Sequence, residues 1–130
     1  MADEQASRRA GMEYQFYQNQ LQEVQNNLDA IEASIQDANA AIDALGNLSP
    51  NSPLILPLGG GVLIKVNVED AKKVLVDSGA RVFSKKTPNE AKVILLARKE
   101  KLESASKRLR EDASELMMRL SDLRSKMEVG

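Results

Sequence analysis

The chain has 130 residues, a formal net charge of −1, no Cys and no His, and its aromatic complement is two Tyr and two Phe. That composition excludes a disulfide framework, thiolate chemistry, an imidazole base and the common zinc ligand sets. It also offers too little bulk for a thick globular core and suits a thin interface between helices.

The first pattern is a seam. Tyr14, Tyr17, Leu21, Val24, Leu28, Ile31, Ile35, Ala38, Ile42 and Leu45 follow one another in strict steps of three and four. Such a stripe needs a second helix along its whole length. A helix is expected to begin between Asp3 and Ala10, with Gly11 costing about 1 kcal/mol of propensity near its start. It is expected to stop at Leu45, with Gly46 as the C′ residue and Ser49-Pro50-Asn51-Ser52-Pro53 unable to continue it.

The middle segment reads as two β-hairpins. Leu54–Leu58, the turn Gly59-Gly60-Gly61 and Val62–Val68 form strand, turn, strand, with Val62, Ile64, Val66 and Val68 on one face by period two. Lys72–Asp77, Ser78-Gly79 and Ala80–Lys86 repeat the plan. The triple glycine does not read as a phosphate loop, because no Gly-Lys-Ser/Thr follows it and it opens into a strand rather than a helix. Isolated hairpins are marginal in water. Their apolar residues Leu56, Leu58, Val62, Ile64, Val66, Val68, Val74, Val76 and Val82 are therefore expected to assemble against other subunits, with Pro57 at an edge or strand start.

The second helix has a sharper start. Thr87-Pro88-Asn89-Glu90 is a capping box with Thr87 as N-cap, Pro88 at N1 and Glu90 at N3. Its seam runs Ala91, Leu95, Arg98, Leu102, Ala105, Leu109, Ala113, Leu116, Leu120, Leu123 and Met127, with a stutter at Leu109 and Ala113. Helices of roughly 35–40 residues give an arm about 55–60 Å long. The chain thus divides at about 8–46, 47–87 and 88–128 into helix, hairpins and helix within one protomer. The fold class is α+β and mostly α: a long antiparallel coiled-coil hairpin with two β-hairpins at its base.

Charge supports the hairpin. Between Ala10 and Ile64 there are six acids and no Lys or Arg, whereas from Pro88 onward ten basic residues face eight acids. Copies of the first helix repel one another, and the first and second attract.

Nothing reads as an enzyme: no carboxylate pair shares a pocket, no Ser or Thr has a base partner, and no cofactor or metal set is present. Nucleic-acid binding is disfavoured, since the basic residues of the second helix alternate with acids and have no interleaved aromatics. No apolar run is long enough to span a membrane and no signal-peptide core opens the chain, so a cytoplasmic location is expected.

The order of elements, with Leu56-Pro57-Leu58-Gly59, Lys73-Val74-Leu75-Val76-Asp77-Ser78-Gly79-Ala80-Arg81-Val82 and Lys86-Thr87, resembles the prefoldin family in its archaeal-type α class. That class carries two hairpins where the β class carries one. In the family pattern Gly-Ala is often followed by another Gly, and here Arg81 stands in that place. The resemblance implies a heterohexamer of two α-type and four β-type subunits whose hairpins form an intersubunit double β-barrel. It also implies ATP-independent capture of unfolded polypeptides at the coil tips and their transfer to a group II chaperonin. For the capture surface the residues off the seam are candidates: Met12 and Phe16 at i,i+4, Met117 and Met118 beside Leu116, and Val129 near the end. The competing reading of these residues is packing of the coil end or contact with a neighbouring subunit. The competing function is a coiled-coil scaffold that assembles through its hairpins without holding clients.

Overall fold

A computed structural model describes residues 2–129, and side chains from Glu4 to Glu128. The element order is α1 (Ala2–Gly46), β1 (Pro53–Gly59), β2 (Val62–Asn67), β3 (Val74–Asp77), β4 (Phe83–Lys86) and α2 (Pro88–Val129). The two sheets are separate antiparallel hairpins, β1–β2 and β3–β4. Contacts divide the chain into two compact units, one of residues 1–35 and 101–130 and one of residues 36–100.

In the first unit the helices run antiparallel, because Glu32 meets Arg110, Tyr17 meets Arg119 and Tyr14 meets Arg124. The seam residues from Tyr14 to Ile35 are all half-buried, and the pattern continues past Gly11 to a buried Ala10. Helix α1 therefore starts well before Ala10; Gly11 is absorbed into it with ordinary helical φ and open space around it. On α2 Ser106, one residue beyond Ala105, enters the seam as a buried polar side chain, and through it the steps from Leu102 to Leu109 and Ala113 keep the regular alternation of four and three instead of the expected stutter. Met127 keeps seam spacing yet stays 39% exposed, so packing loosens beyond Leu123.

In the second unit α1 ends later than Leu45 and by another device. Gly46 is still helical and has no positive φ, so it is not a left-handed C′ residue. Asn47 closes the end instead. Its N–H donates to the Ala44 carbonyl at 3.1 Å and its Nδ2 to the Asp43 carbonyl at 3.1 Å. These bonds satisfy two of the carbonyls that a helix terminus leaves open.

The strands are shorter than the β pattern suggests, each time for a local reason. Lys72 and Lys73 stay outside β3, since the Asp70 carboxylate accepts the Lys72 N–H at 2.8 Å and bends the chain there. Ala80, Arg81 and Val82 stay outside β4. Ala80 and Arg81 take φ of 51° and 62°, which no extended strand allows. Val82 donates to the Gly79 carbonyl within that turn. Val68 lies just beyond β2, but its backbone still exchanges bonds with Ser52 and Asn51. In the first hairpin a bulge between Pro57 and Gly59 precedes three glycines with φ of 102°, 60° and 78°. A turn built from three consecutive left-handed residues needs glycine at each.

The capping box at α2 is complete. The Glu90 N–H donates to Thr87 Oγ1 at 3.2 Å, while the Thr87 hydroxyl donates to Glu90 Oε1 at 3.0 Å. The hydroxyl, then the Thr87 backbone N–H, hold the Glu90 carboxyl below the usual carboxylate range. A carboxyl with a depressed folded pKa stabilises fully above its ordinary pKa and stops doing so as pH falls through the folded value. The Tm difference between the native chain and Glu90→Gln is therefore expected to be present at pH 7 and to shrink as pH falls below the usual carboxylate range. Arg81 sits where glycine would be unstrained, so Arg81→Gly should raise stability by about 1 kcal/mol in urea melts, a gain that Arg81→Lys does not give.

Candidate functional site

The residues expected from sequence to meet other subunits lie in the second unit, and those expected to meet clients lie in the first. In the second unit the β1–β2 register pairs Leu54 with Val66 and Leu56 with Ile64. Paired residues share a face, and period two adds Leu58 and Val62 to it. Leu58 is 64% and Val62 55% exposed, and Leu56 and Ile64 are also open. The opposite face is apolar too. Ile55 and Leu63 are equally open there, beside Pro57 and Lys65. The sequence signal for that second face was the uninterrupted apolar run Leu54–Leu58, which marks a strand covered on both sides rather than one.

The β3–β4 hairpin divides its faces differently. Val74 and Val76 are half-buried with Ser84 and Lys86, whereas Leu75 and Phe83 turn outward with Lys85. Val74 and Val76 help line a cleft of about 350 Å³ with Ala41, Ala44, Leu48 and Leu95. Alanines on both helix segments keep this cleft open, Ala91 among them and itself only 1% exposed. Val82 is exposed in the turn. The outward apolar residues of this hairpin are thus Leu75, Val82 and Phe83. Leu75 and Phe83 were missed because the period-two reading followed the valines.

In the first unit Met12, Phe16, Met117 and Met118 are all at least half exposed. At about 100° per residue, Met12 and Met118 each lie roughly opposite the seam of their own helix. Phe16 leans toward the groove lined by Gln20, Glu23, Asp112, Glu115 and Arg119. Met117 leans to the other side of the pair. Met12 and Phe16 thus form one small patch on α1, and the two methionines of α2 do not join it. The side chain of Val129 lies outside the described residues.

Beside Phe16 the seam is aromatic and only half-buried. The Phe16 and Tyr17 rings meet edge to face at 5.6 Å between centroids. Arg119 lies 5.4 Å over the Tyr17 ring, donates to its hydroxyl at 3.3 Å and pairs with Glu115 at 2.9 Å. The Tyr17 hydroxyl, ahead of the Glu115 charge, raises the already high guanidinium pKa. Arg124 reaches the Tyr14 hydroxyl at 3.0 Å in the same way. Tyrosines replace aliphatic residues where the seam meets solvent, since their rings pack while their hydroxyls bond outward. Both arginines are solvent-accessible, so Tyr17→Phe should cost less than about 1 kcal/mol in thermal melts. Tyr17→Ala removes the ring and should cost about 2 kcal/mol.

Among the described residues no cluster of three metal-ligating side chains occurs and no helix is long and apolar enough to cross a membrane. The family model described as "Prefoldin subunit" matches residues 17–129. A relative named prefoldin subunit alpha from Methanococcoides burtonii is 34% identical over 125 residues, covering 94% of this chain and 91% of its own length. Its counterpart from Thermofilum pendens is 26% identical over 124 residues, covering 93% and 96%. In structure the fold is similar to a subunit of filamentous PFD from Methanocaldococcus jannaschii, with a TM-score of 0.71 and 19% identity. That match covers 88% of this chain and 98% of the other.

Proposed function

The chain belongs to the prefoldin family as an α-class subunit, and from that membership we propose that it works as part of an ATP-independent chaperone in the cytoplasm. Its hairpins join those of one-hairpin β-class subunits, two α to four β, in an intersubunit β-barrel. The helix-pair ends hold non-native polypeptides, which pass to a group II chaperonin.

The observation that carries this reading is the β1–β2 hairpin. It is a two-stranded sheet with aliphatic residues exposed on both faces, a state that costs about 25 cal/mol for each Å² of apolar surface left in water. Burial between subunits removes that cost, and the open strand edges supply the backbone groups for pairing. The Met12 and Phe16 patch supports client contact. A flexible thioether beside an aromatic ring adapts to varied apolar segments.

Native mass spectrometry after co-expression with a one-hairpin subunit tests the assembly. One species of two α and four β chains is expected. Open-ended homo-oligomers would instead favour the scaffold reading, in keeping with the filament formed by the structural relative. The client surface is tested within that complex. Replacing Met12, Phe16, Met117 and Met118 by Ser should keep the composition and weaken suppression of aggregation of an unfolded client. Because the α1 and α2 residues face apart, the two pairs of substitutions should act additively. Full suppression by the assembled fourfold variant removes these residues from the client surface.

A further inference from the structure

Arg98 breaks the seam of α2. It stands between Leu95 and Leu102, at a position where the heptad pattern asks for an apolar side chain, and it is exposed. Its guanidinium has another partner: it donates to the backbone carbonyl of Asp77, the last residue of β3.

The direction of that carbonyl follows from the hairpin's ladder. The Ser78 N–H donates to the Val82 carbonyl at 2.8 Å, and the register continues as Asp77 with Phe83, Val76 with Ser84 and Leu75 with Lys85. Antiparallel pairs alternate between hydrogen-bonded and non-hydrogen-bonded. Ser78–Val82 is bonded, so Val76–Ser84 is bonded, while Asp77–Phe83 and Leu75–Lys85 are not. The backbone groups of Asp77 and Leu75 therefore point away from β4, along the free edge of β3. Arg98 occupies that edge at Asp77. The groups of Leu75 remain directed outward, at a cleft whose other walls are Leu45, Leu48 and Leu95.

We infer that Arg98 pins the β3–β4 hairpin to α2 and closes the free edge of β3 at Asp77, so that a strand from a neighbouring subunit can pair only from Leu75 toward the start of the strand. An unprotected edge can accept strands in several registers, and a charged side chain across it removes some of them. A seam position is thus given up to fix where the assembly interface begins. The pin stands on this chain's own contacts, whereas the neighbouring strand rests on the assembly reading above.

Arg98→Leu tests the inference without threatening the fold, because it completes the apolar run Leu95–Leu102. Amide exchange within residues 74–86 should accelerate about fivefold while residues 101–128 stay unchanged. Co-expression with a one-hairpin subunit should then give a spread of compositions in native mass spectra. Arg98→Lys, which keeps a charged donor, should restore both readouts. Unchanged exchange in Arg98→Leu overturns the pin, and faster exchange with a single unchanged composition overturns the edge assignment. If the unaltered chain forms no complex with a one-hairpin subunit, the assembly reading and the proposed strand neighbour both fall, while the exchange comparison still decides the pin.

Discussion

Two helices can cover only one side of each side chain in the seam they share. Long aliphatic residues placed there keep one flank in water, and small ones disappear between the backbones. That constraint governs the whole burial pattern. Among the described residues the buried apolar set is Ala10, Ala38, Ala91, Ala113 and Leu123, four of the five being alanine. Leucines, isoleucines and the two tyrosines are half-covered. A chain built this way draws its stability from length rather than depth, with many partial burials instead of a few complete ones.

The same constraint explains why the chain's most apolar segments lie outside the seam. A thin two-helix interface has no interior in which to hide the Leu54–Leu58 run or the Val62–Val66 run, so beyond the half-buried pair Leu54–Val66 both strands stay open to solvent on both faces. The alanine-lined cleft of the second unit is a partial exception, since β3 turns Val74 and Val76 into it. Electrostatics contributes direction rather than depth. The cross-helix pair Glu32–Arg110 is more than half exposed on both sides and adds at most about 1 kcal/mol. It helps select the antiparallel register from a chain whose first helix is acidic and whose second is basic.

Much of this was legible in the sequence because the signals were local and periodic. The seam residues, the capping box at Thr87–Glu90 and the two hairpins each depend on spacing within a few residues, and each is found in the structure, with Arg98 and Met127 the exposed exceptions in the seam. What could not be read depended on geometry that spacing does not encode. Gly46 looked like a helix stop, but Asn47 could reach back to two carbonyls and the helix ran one residue further. The lysines before β3 looked extended until Asp70 bent the chain. Met12, Phe16, Met117 and Met118 stood out as apolar residues off the seam, yet their grouping on one surface is decided by where each lies around its own helix. Alternation alone also chose the valines of β3 and passed over Leu75 and Phe83, which carry the outward face.

Arg98 shows how a local violation of pattern can be informative. A charged residue in a seam usually weakens it. Here the side chain is long enough to leave the seam and reach a strand edge, and the small residues Ala41 and Ala44 lie along the same cleft. The positions flanking it, Leu95 and Leu102, are apolar and half-buried, so one position can be given to the hairpin. A short or apolar side chain could pack in the seam but could not reach the Asp77 carbonyl. Reach and charge together distinguish Arg98 from the seam residues on either side of it, Leu95 and Leu102. The residue that fits the coiled coil least well is the one that ties the helix to the β3–β4 hairpin.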